Sequence, residues 1–241
     1  MPANAGRVLL DNPCDNHWHM IERTIRAATH GRYLVAVGSE PGPRPLLVGF
    51  HGYAESAETE MNRLQTVNGI NHWIVAAVQA LHRFYRGRTN EVVASWMTSQ
   101  DRTRVIADNC AYVAGVIDAV SREWAVDRTL VLSGFSQGVA MAFRAATSIA
   151  RPVSGVIACG GDVPPELDTP TLARIPTVLI GRGLRDEWYT AEKLASDVQR
   201  LQAAGVAVQT ATFDAGHDWP PEFSRAVSLF LQREREENHE A

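Results

Sequence analysis

Thr129-Leu130-Val131-Leu132-Ser133-Gly134-Phe135-Ser136-Gln137-Gly138, followed by Val139-Ala140-Met141-Ala142-Phe143, is the stretch on which the fold turns. An apolar, β-favouring run enters Gly-x-Ser-x-Gly, and a run of small residues with helical character leaves it. A serine on such a sharp strand-to-helix turn projects its hydroxyl above the edge of a sheet, and the flanking glycines let neighbouring backbone pass without a Cβ clash. The helix amino terminus behind it favours developing negative charge. Taken alone, the five residues also read as a Gly-rich turn around a buried serine. The strand before and helix after favour Ser136 as a nucleophile. Ser133 lacks the second glycine at the right spacing and is read as structural.

Outward from this turn, short apolar runs alternate with segments of helical period, which predicts a mostly parallel α/β sheet with helices on both faces. The expected strands are Arg32–Val37, Leu46–Phe50, Trp73–Val78, Thr129–Leu132, Gly155–Ala158, Thr177–Ile180 and Val206–Phe213. Several are continuously apolar, as strands covered on both faces should be. After Gln100, residues Ile106, Cys110, Val113, Ile117 and Val120 fall on one helical face. Leu194, Val198 and Leu201 repeat the spacing, and Gly205 supplies a stop just beyond. Phe223, Val227, Phe230 and Leu231 mark a terminal helix, expected to fray into the charged run Arg233–Glu237. Pro41-Gly42-Pro43-Arg44-Pro45 reads as a tight connector between the first two strands. No linker divides the chain, so a single domain is expected over residues 1–241, with 1–30 as an amino-terminal extension and 233–241 as a charged tail.

A serine hydroxyl is a weak nucleophile near neutral pH; it needs a base within hydrogen-bond reach, itself oriented by a carboxylate. Sheets of this kind present those partners in the chain order Ser, acid, His. Of 8 histidines, only His217 follows Ser136 inside the expected core, in the loop Asp214-Ala215-Gly216-His217-Asp218-Trp219. The acid is expected to be Asp186, in the turn after the strand Thr177–Ile180. Asp162, after the preceding strand, is its rival. Asp214 and Asp218 lie too close in sequence to His217 for the usual geometry. Acyl transfer also needs donors aimed at an oxyanion. The Gln137 N–H is one candidate, and the Tyr53 N–H in the loop after Leu46–Phe50 is the other. His51 in that loop is read as a hydrogen-bonding strut. Trp96, Trp188 and Trp219 stand beside these loops as candidate walls of an acyl pocket.

Composition narrows the partners. Hydrophobic residues are 45% and charged residues 21%, with a formal net charge of −4, so no general attraction to nucleic acid is expected. The Arg-rich stretch Arg83–Arg88 is read as solvated surface, with anion binding as the lesser alternative. The 3 cysteines, Cys14, Cys110 and Cys159, are widely separated, which argues against a disulfide framework or thiolate zinc site and favours a reducing compartment. Val8-Leu9-Leu10 is too short for a signal peptide, and no run reaches the length of a membrane span, so a cytoplasmic location is expected. His17 and His19 make an HxH pair with no further ligands in view; no metal site is read there. No phosphate loop or dinucleotide fingerprint appears.

With His51-Gly52, Gly134-Phe135-Ser136-Gln137-Gly138, Gly183-x-x-Asp186 and Gly216-His217 in this order, the chain from Tyr33 to Leu231 resembles the phospholipase/carboxylesterase family of α/β-hydrolases. These include bacterial carboxylesterases and acyl-protein thioesterases. The resemblance implies a cofactor-free serine esterase or thioesterase acting on a small ester or thioester, with no metal; a homodimer is also allowed. Two segments depart from the family. Gly52-Tyr53-Ala54-Glu55 replaces the common Gly-Leu-Gly-Asp, and Ser95-Trp96-Met97-Thr98 stands where many members carry Trp-Phe-Asp. Substrate choice therefore transfers least over Arg83–Val93. The rival readings are a hydrolase of another bond, such as a lactone or peptide, and a non-catalytic binding protein on the same fold.

Overall fold

The computed structural model describes residues 20–39 and 41–240, with side chains through residue 236. The chain divides at Gly31 into two units. In the described part of the first, residues 20–30, there is no helix and nothing longer than a single-residue bridge at Ile21. Cys14, His17 and His19 lie outside the described residues.

The second unit is built as β1 (Arg32–Val37), β2 (Arg44–Phe50), α1 (Ala57–Gln65), β3 (Ile74–Gln79), β4 (His82–Tyr85), β5 (Val92–Ser95), α2 (Arg102–Glu123), β6 (Val126–Phe135), α3 (Gln137–Ser148), β7 (Gly155–Cys159), α4 (Thr169–Leu172), β8 (Thr177–Gly183), α5 (Ala191–Ala203), β9 (Ala207–Phe213) and α6 (Pro221–Glu240). Seven strands form one sheet in the order β1-β3-β2-β6-β7-β8-β9. Only β1 runs antiparallel to its neighbour; every other pair in this sheet is parallel. The ends of β6, β8 and β9 therefore open onto one edge.

Alternation along the central strands sorts the apolar side chains between two cores. Leu46, Val48, Leu130, Leu132, Val156, Ala158, Val178 and Ile180 join residues of α2, α3 and α5 in one core. Their neighbours Leu47, Val131, Ile157 and Leu179 join residues of α1 and α6 in the other. Both neighbours are apolar because both faces are covered.

Two elements stand where the sequence reading assigned none, and one helix end differs from it. The stretch Arg83–Arg88 is mostly exposed, as read, but it belongs to an element the reading did not assign: β4 and β5 pair antiparallel as a separate hairpin, with Gly87 at φ 53° in its turn. Helix α1 forms over a stretch given no element in the sequence reading, capped by the Ser56 side chain, which accepts from the Thr59 N–H. The terminal helix does not fray at Arg233 but runs to Glu240. Its charged residues find local partners: Arg233 bonds Gln209 of β9, Gln232 donates to Glu236 at 2.9 Å, and Glu234 is buried.

Candidate active site

Ser136 sits between β6 and α3 with φ 53° and ψ −118°, a conformation that non-glycine residues adopt at a cost of about 1–3 kcal/mol. Close packing holds it there. A Cβ on Gly134 would lie 2.3 Å from the Gly138 carbonyl oxygen, and one on Gly138 would lie 1.9 Å from that of Phe50. Both glycines are thus sterically required. The Ser136 N–H donates to the Cys159 carbonyl of β7 at 2.8 Å, fixing the turn to the next strand. Ser136 occupies the N-cap position, yet its hydroxyl caps nothing. It points instead to His217, whose Nε2 is 2.8 Å from the Ser136 Oγ.

The other ring nitrogen of His217, Nδ1, lies 2.8 Å from Asp186 Oδ2. Backbone contacts between the loops after β8 and β9 bring the two together. Leu184 N–H donates to Phe213 O at 2.8 Å and Arg185 N–H to Ala215 O at 2.9 Å. A Cβ on Gly183 would meet Gly216 O at 2.1 Å. Arg185 also pairs with Asp214, which draws that acid away from the imidazole. The buried Asp186 accepts at Oδ1 from the Trp188 and Tyr189 N–H groups, each at 2.9 Å, leaving Oδ2 for the histidine. Asp162 is half exposed and faces Lys193 at 3.3 Å; Asp218 accepts from the Trp219 N–H. Of the acids weighed, Asp186 is the one hydrogen-bonded to His217.

The loop after β2 is braced from below. His51 is fully buried; its Nε2 accepts from the Ala80 N–H at 3.1 Å, so Nδ1 carries the proton donated to Gly52 O at 2.7 Å. Burial lowers the pKa of this ring, in keeping with a neutral strut. Beyond it, Ala54 adopts φ 56° and bonds across to the hairpin, donating to Ala94 O at 3.0 Å. Among the described residues, neither the Tyr53 nor the Gln137 N–H has an acceptor. The Gln137 side chain is occupied elsewhere. Its Oε1 accepts from the Trp96 N–H at 2.8 Å, and its Nε2 donates to Met97 O at 3.2 Å, tying the segment after β5 to the elbow.

A cleft of about 900 Å³ opens over Ser136 and His217, with Tyr53, Met97, Ala140, Arg144 and Trp188 among its walls. A larger one, about 1180 Å³, lies at the other edge among Val126, Pro152, Thr177 and Ala207 and touches none of the three linked residues. Chemistry selects the smaller. The tryptophans divide. Trp188 is 76% exposed and lines the cleft. Trp96 does not: it is buried, its ring edge-on to Phe50, and its Nε1 donates to His51 O at 2.9 Å. Trp219 is also core, 4.6 Å centroid to centroid from Phe223, with Nε1 on the Ser224 hydroxyl at 3.0 Å. Adjacency in sequence to a site loop did not distinguish wall from support. The reading also missed Gly160-Gly161 at the tip of β7, although the pair after a strand was a visible signal. A Cβ on Gly160 would sit 3.1 Å from His217 Cε1, and one on Gly161 would sit 2.3 Å from Ser136 O.

Behind His217, whose ring lies tilted against Phe135 with centroids 5.1 Å apart, the Arg63 guanidinium sits over the Phe135 ring, 4.2 Å from its centroid. It pairs with Glu55 at 2.8 Å and with the fully buried Glu60. Burial pushes the Glu60 carboxyl up to about 6, despite Arg63. Cys159, also buried, has its thiol pKa raised well above the ordinary value by burial, which favours the neutral thiol. Among the described residues no group of three or more His, Cys, Asp or Glu is placed to hold a metal ion.

The doubly covered parallel sheet, with its serine elbow and the bonded histidine and acid at one edge, defines an α/β-hydrolase. A family model described as phospholipase/carboxylesterase matches residues 34–234, and the chain belongs to that family. Among solved structures, the carboxylesterase of Bacillus cereus superposes with a TM-score of 0.66 at 14% identity, over 85% of this chain and 94% of that one. Acyl-protein thioesterase 2 of Zea mays gives 0.64 at 20% identity, over 85% and 99%. SOBER1 of Arabidopsis thaliana gives 0.65 at 16% identity, over 79% and 99%. At these identities the likeness concerns the fold alone. Comparison with curated proteins gives no match.

Proposed function

We propose that this α/β-hydrolase cleaves carboxylic esters or thioesters through an acyl-enzyme on Ser136. The observation that carries the reading is the unbroken relay from Asp186 through both nitrogens of His217 to the Ser136 hydroxyl, each link 2.8 Å long. In this account His217 Nε2 takes the hydroxyl proton as Oγ attacks the acyl carbonyl. Asp186 holds the imidazole in the required tautomer and stabilises the imidazolium. The unoccupied N–H groups of Tyr53 and Gln137 receive the oxyanion, Gln137 from the first turn of α3. His217 then protonates the leaving group, and a water deprotonated by the same nitrogen releases the acid. No step calls for a cofactor. The free Cys110 and Cys159 fit a reducing, cytoplasmic setting, and no described helix is long and apolar enough to cross a membrane.

A fluorophosphonate probe tests the assignment, since it reacts only with an activated serine. The full chain should label at Ser136 by peptide mapping, and Ser136→Ala should not label. Short p-nitrophenyl esters should turn over while matched anilides do not. Labelling at another residue, or none with correctly folded protein, overturns the nucleophile; cleavage of anilides in preference to esters overturns the substrate class.

A further inference from the structure

The cleft carries more positive charge than its chemistry requires. On the wall made by α3, Gln137, Ala140 and Arg144 follow Ser136 at helical spacing along one face, and Arg102 faces them from the start of α2. Arg144 is 6% exposed, and Arg102 is about half exposed. Both turn to a single carboxylate, Glu166, Arg144 at 2.7 Å and Arg102 at 3.4 Å. Arg102 also places a nitrogen 2.7 Å from Met97 Sδ, a poor acceptor for a guanidinium. The cleft's other charges, Lys193 and Asp162, face each other at 3.3 Å and balance. One cation is thus left over on the α3 side, in a chain whose net charge is −4. Burial lowers the pKa of Arg144, which marks a guanidinium short of solvation.

The two sides of Ser136 are not equivalent. His217 reaches the hydroxyl from the side of Phe135, a member of the core shared with α1 and α6. The arginines stand on the other side, with the α2 and α3 core. A leaving group must lie against His217 to be protonated, so the acyl chain runs towards the arginines. Its path is apolar along Met97, Ala140 and Pro165. The helical rise puts the Arg144 backbone about 12 Å along α3 from Ser136. Its side chain leans back towards the helix start, which brings the guanidinium nearer to a reacting carbonyl than the backbone spacing alone would.

We propose that the substrate's acyl group is a short apolar chain ending in a carboxylate, which Arg102 and Arg144 bind in competition with Glu166. The proposal rests on the hydrolase reading above. The two guanidinium forks supply the charge-assisted, directional bonds a carboxylate takes best.

Mono-p-nitrophenyl adipate and p-nitrophenyl hexanoate share a six-carbon acyl chain and differ in the terminal group, so the ratio of their kcat/KM isolates the site. The unaltered chain should favour the adipate ester at least tenfold. Arg102→Gln, at an exposed position where folding is not at stake, should cut that ratio at least tenfold, mainly through KM. Glu166→Gln removes the internal competitor and should raise it. A ratio near one, or a ratio that neither substitution moves, overturns the proposal. If Ser136 neither labels nor cleaves either ester, the hydrolase reading fails separately, and calorimetry with adipate decides the anion site: saturable binding lost in Arg102→Gln upholds it, and no binding overturns it.

Discussion

Asp186 shows how a single residue's geometry sets the expected chemistry. Its two oxygens are divided between backbone donors and the imidazole. Asp186→Asn would keep an oxygen for the Trp188 and Tyr189 N–H groups but turn an NH₂ towards His217. Nδ1 must then accept, and Nε2 carries a proton where it should receive one. By analogy with the same change in other triads, turnover should fall about 10⁴-fold with little change in stability. Ester kinetics beside a urea melt check this; a loss smaller than about tenfold would remove Asp186 from the relay. At this scale the sequence was informative about order and silent about direction. Chain order and loop position singled out Ser136 and His217 and left Asp162 beside Asp186. Nothing in the sequence could show that Asp162 turns to Lys193. Tryptophans carry the same lesson, because burial depends on where a ring points and not on its neighbours in the chain.

Elements were legible where one face is apolar and obscure where polar groups are buried. Helix α2 announces itself by its apolar stripe, whereas α1 contributes only Ala57, Met61 and Leu64 to its core and buries Glu60 beside them. The hairpin β4–β5 is charged and mostly exposed along β4, so periodicity could not separate it from loop. Two glycines give opposite expectations for the same substitution. In α3, Gly138→Ala forces a Cβ to 1.9 Å from the Phe50 carbonyl and should cost at least about 3 kcal/mol, with loss of probe labelling. In α2, Gly115 has open space where a Cβ would go, and Gly115→Ala should add about 0.5–1 kcal/mol. Chemical denaturation of the two variants measures both; a neutral Gly138→Ala would mean that the elbow tolerates backbone movement of more than an ångström.

Across the whole molecule, the sheet's architecture was readable because each central strand is apolar on both faces, while its electrostatic interior was not. Glu60 illustrates the latter. An unfolded glutamate titrates near 4.5, and the buried one near 6. The folded chain therefore binds the extra proton more tightly. Its stabilising contribution is complete below about pH 4.5 and is lost as pH rises through 6, about 2 kcal/mol in all. Unfolding free energies taken from pH 3.5 to 7.5 should show the unaltered chain losing about 2 kcal/mol relative to Glu60→Gln as pH rises. A difference independent of pH contradicts the assignment. The relay itself has a consequence in time. Ser136 lies 81 residues from His217, and Asp186 lies 31 residues from it, with β9 and its following loop needed to close the gap. Helices can coil within microseconds of dilution from denaturant, but such distant closures are slow. Competence to react with a phosphonate is then among the last properties a refolding chain acquires, making probe capture a stopwatch for completed topology where circular dichroism would already have levelled off.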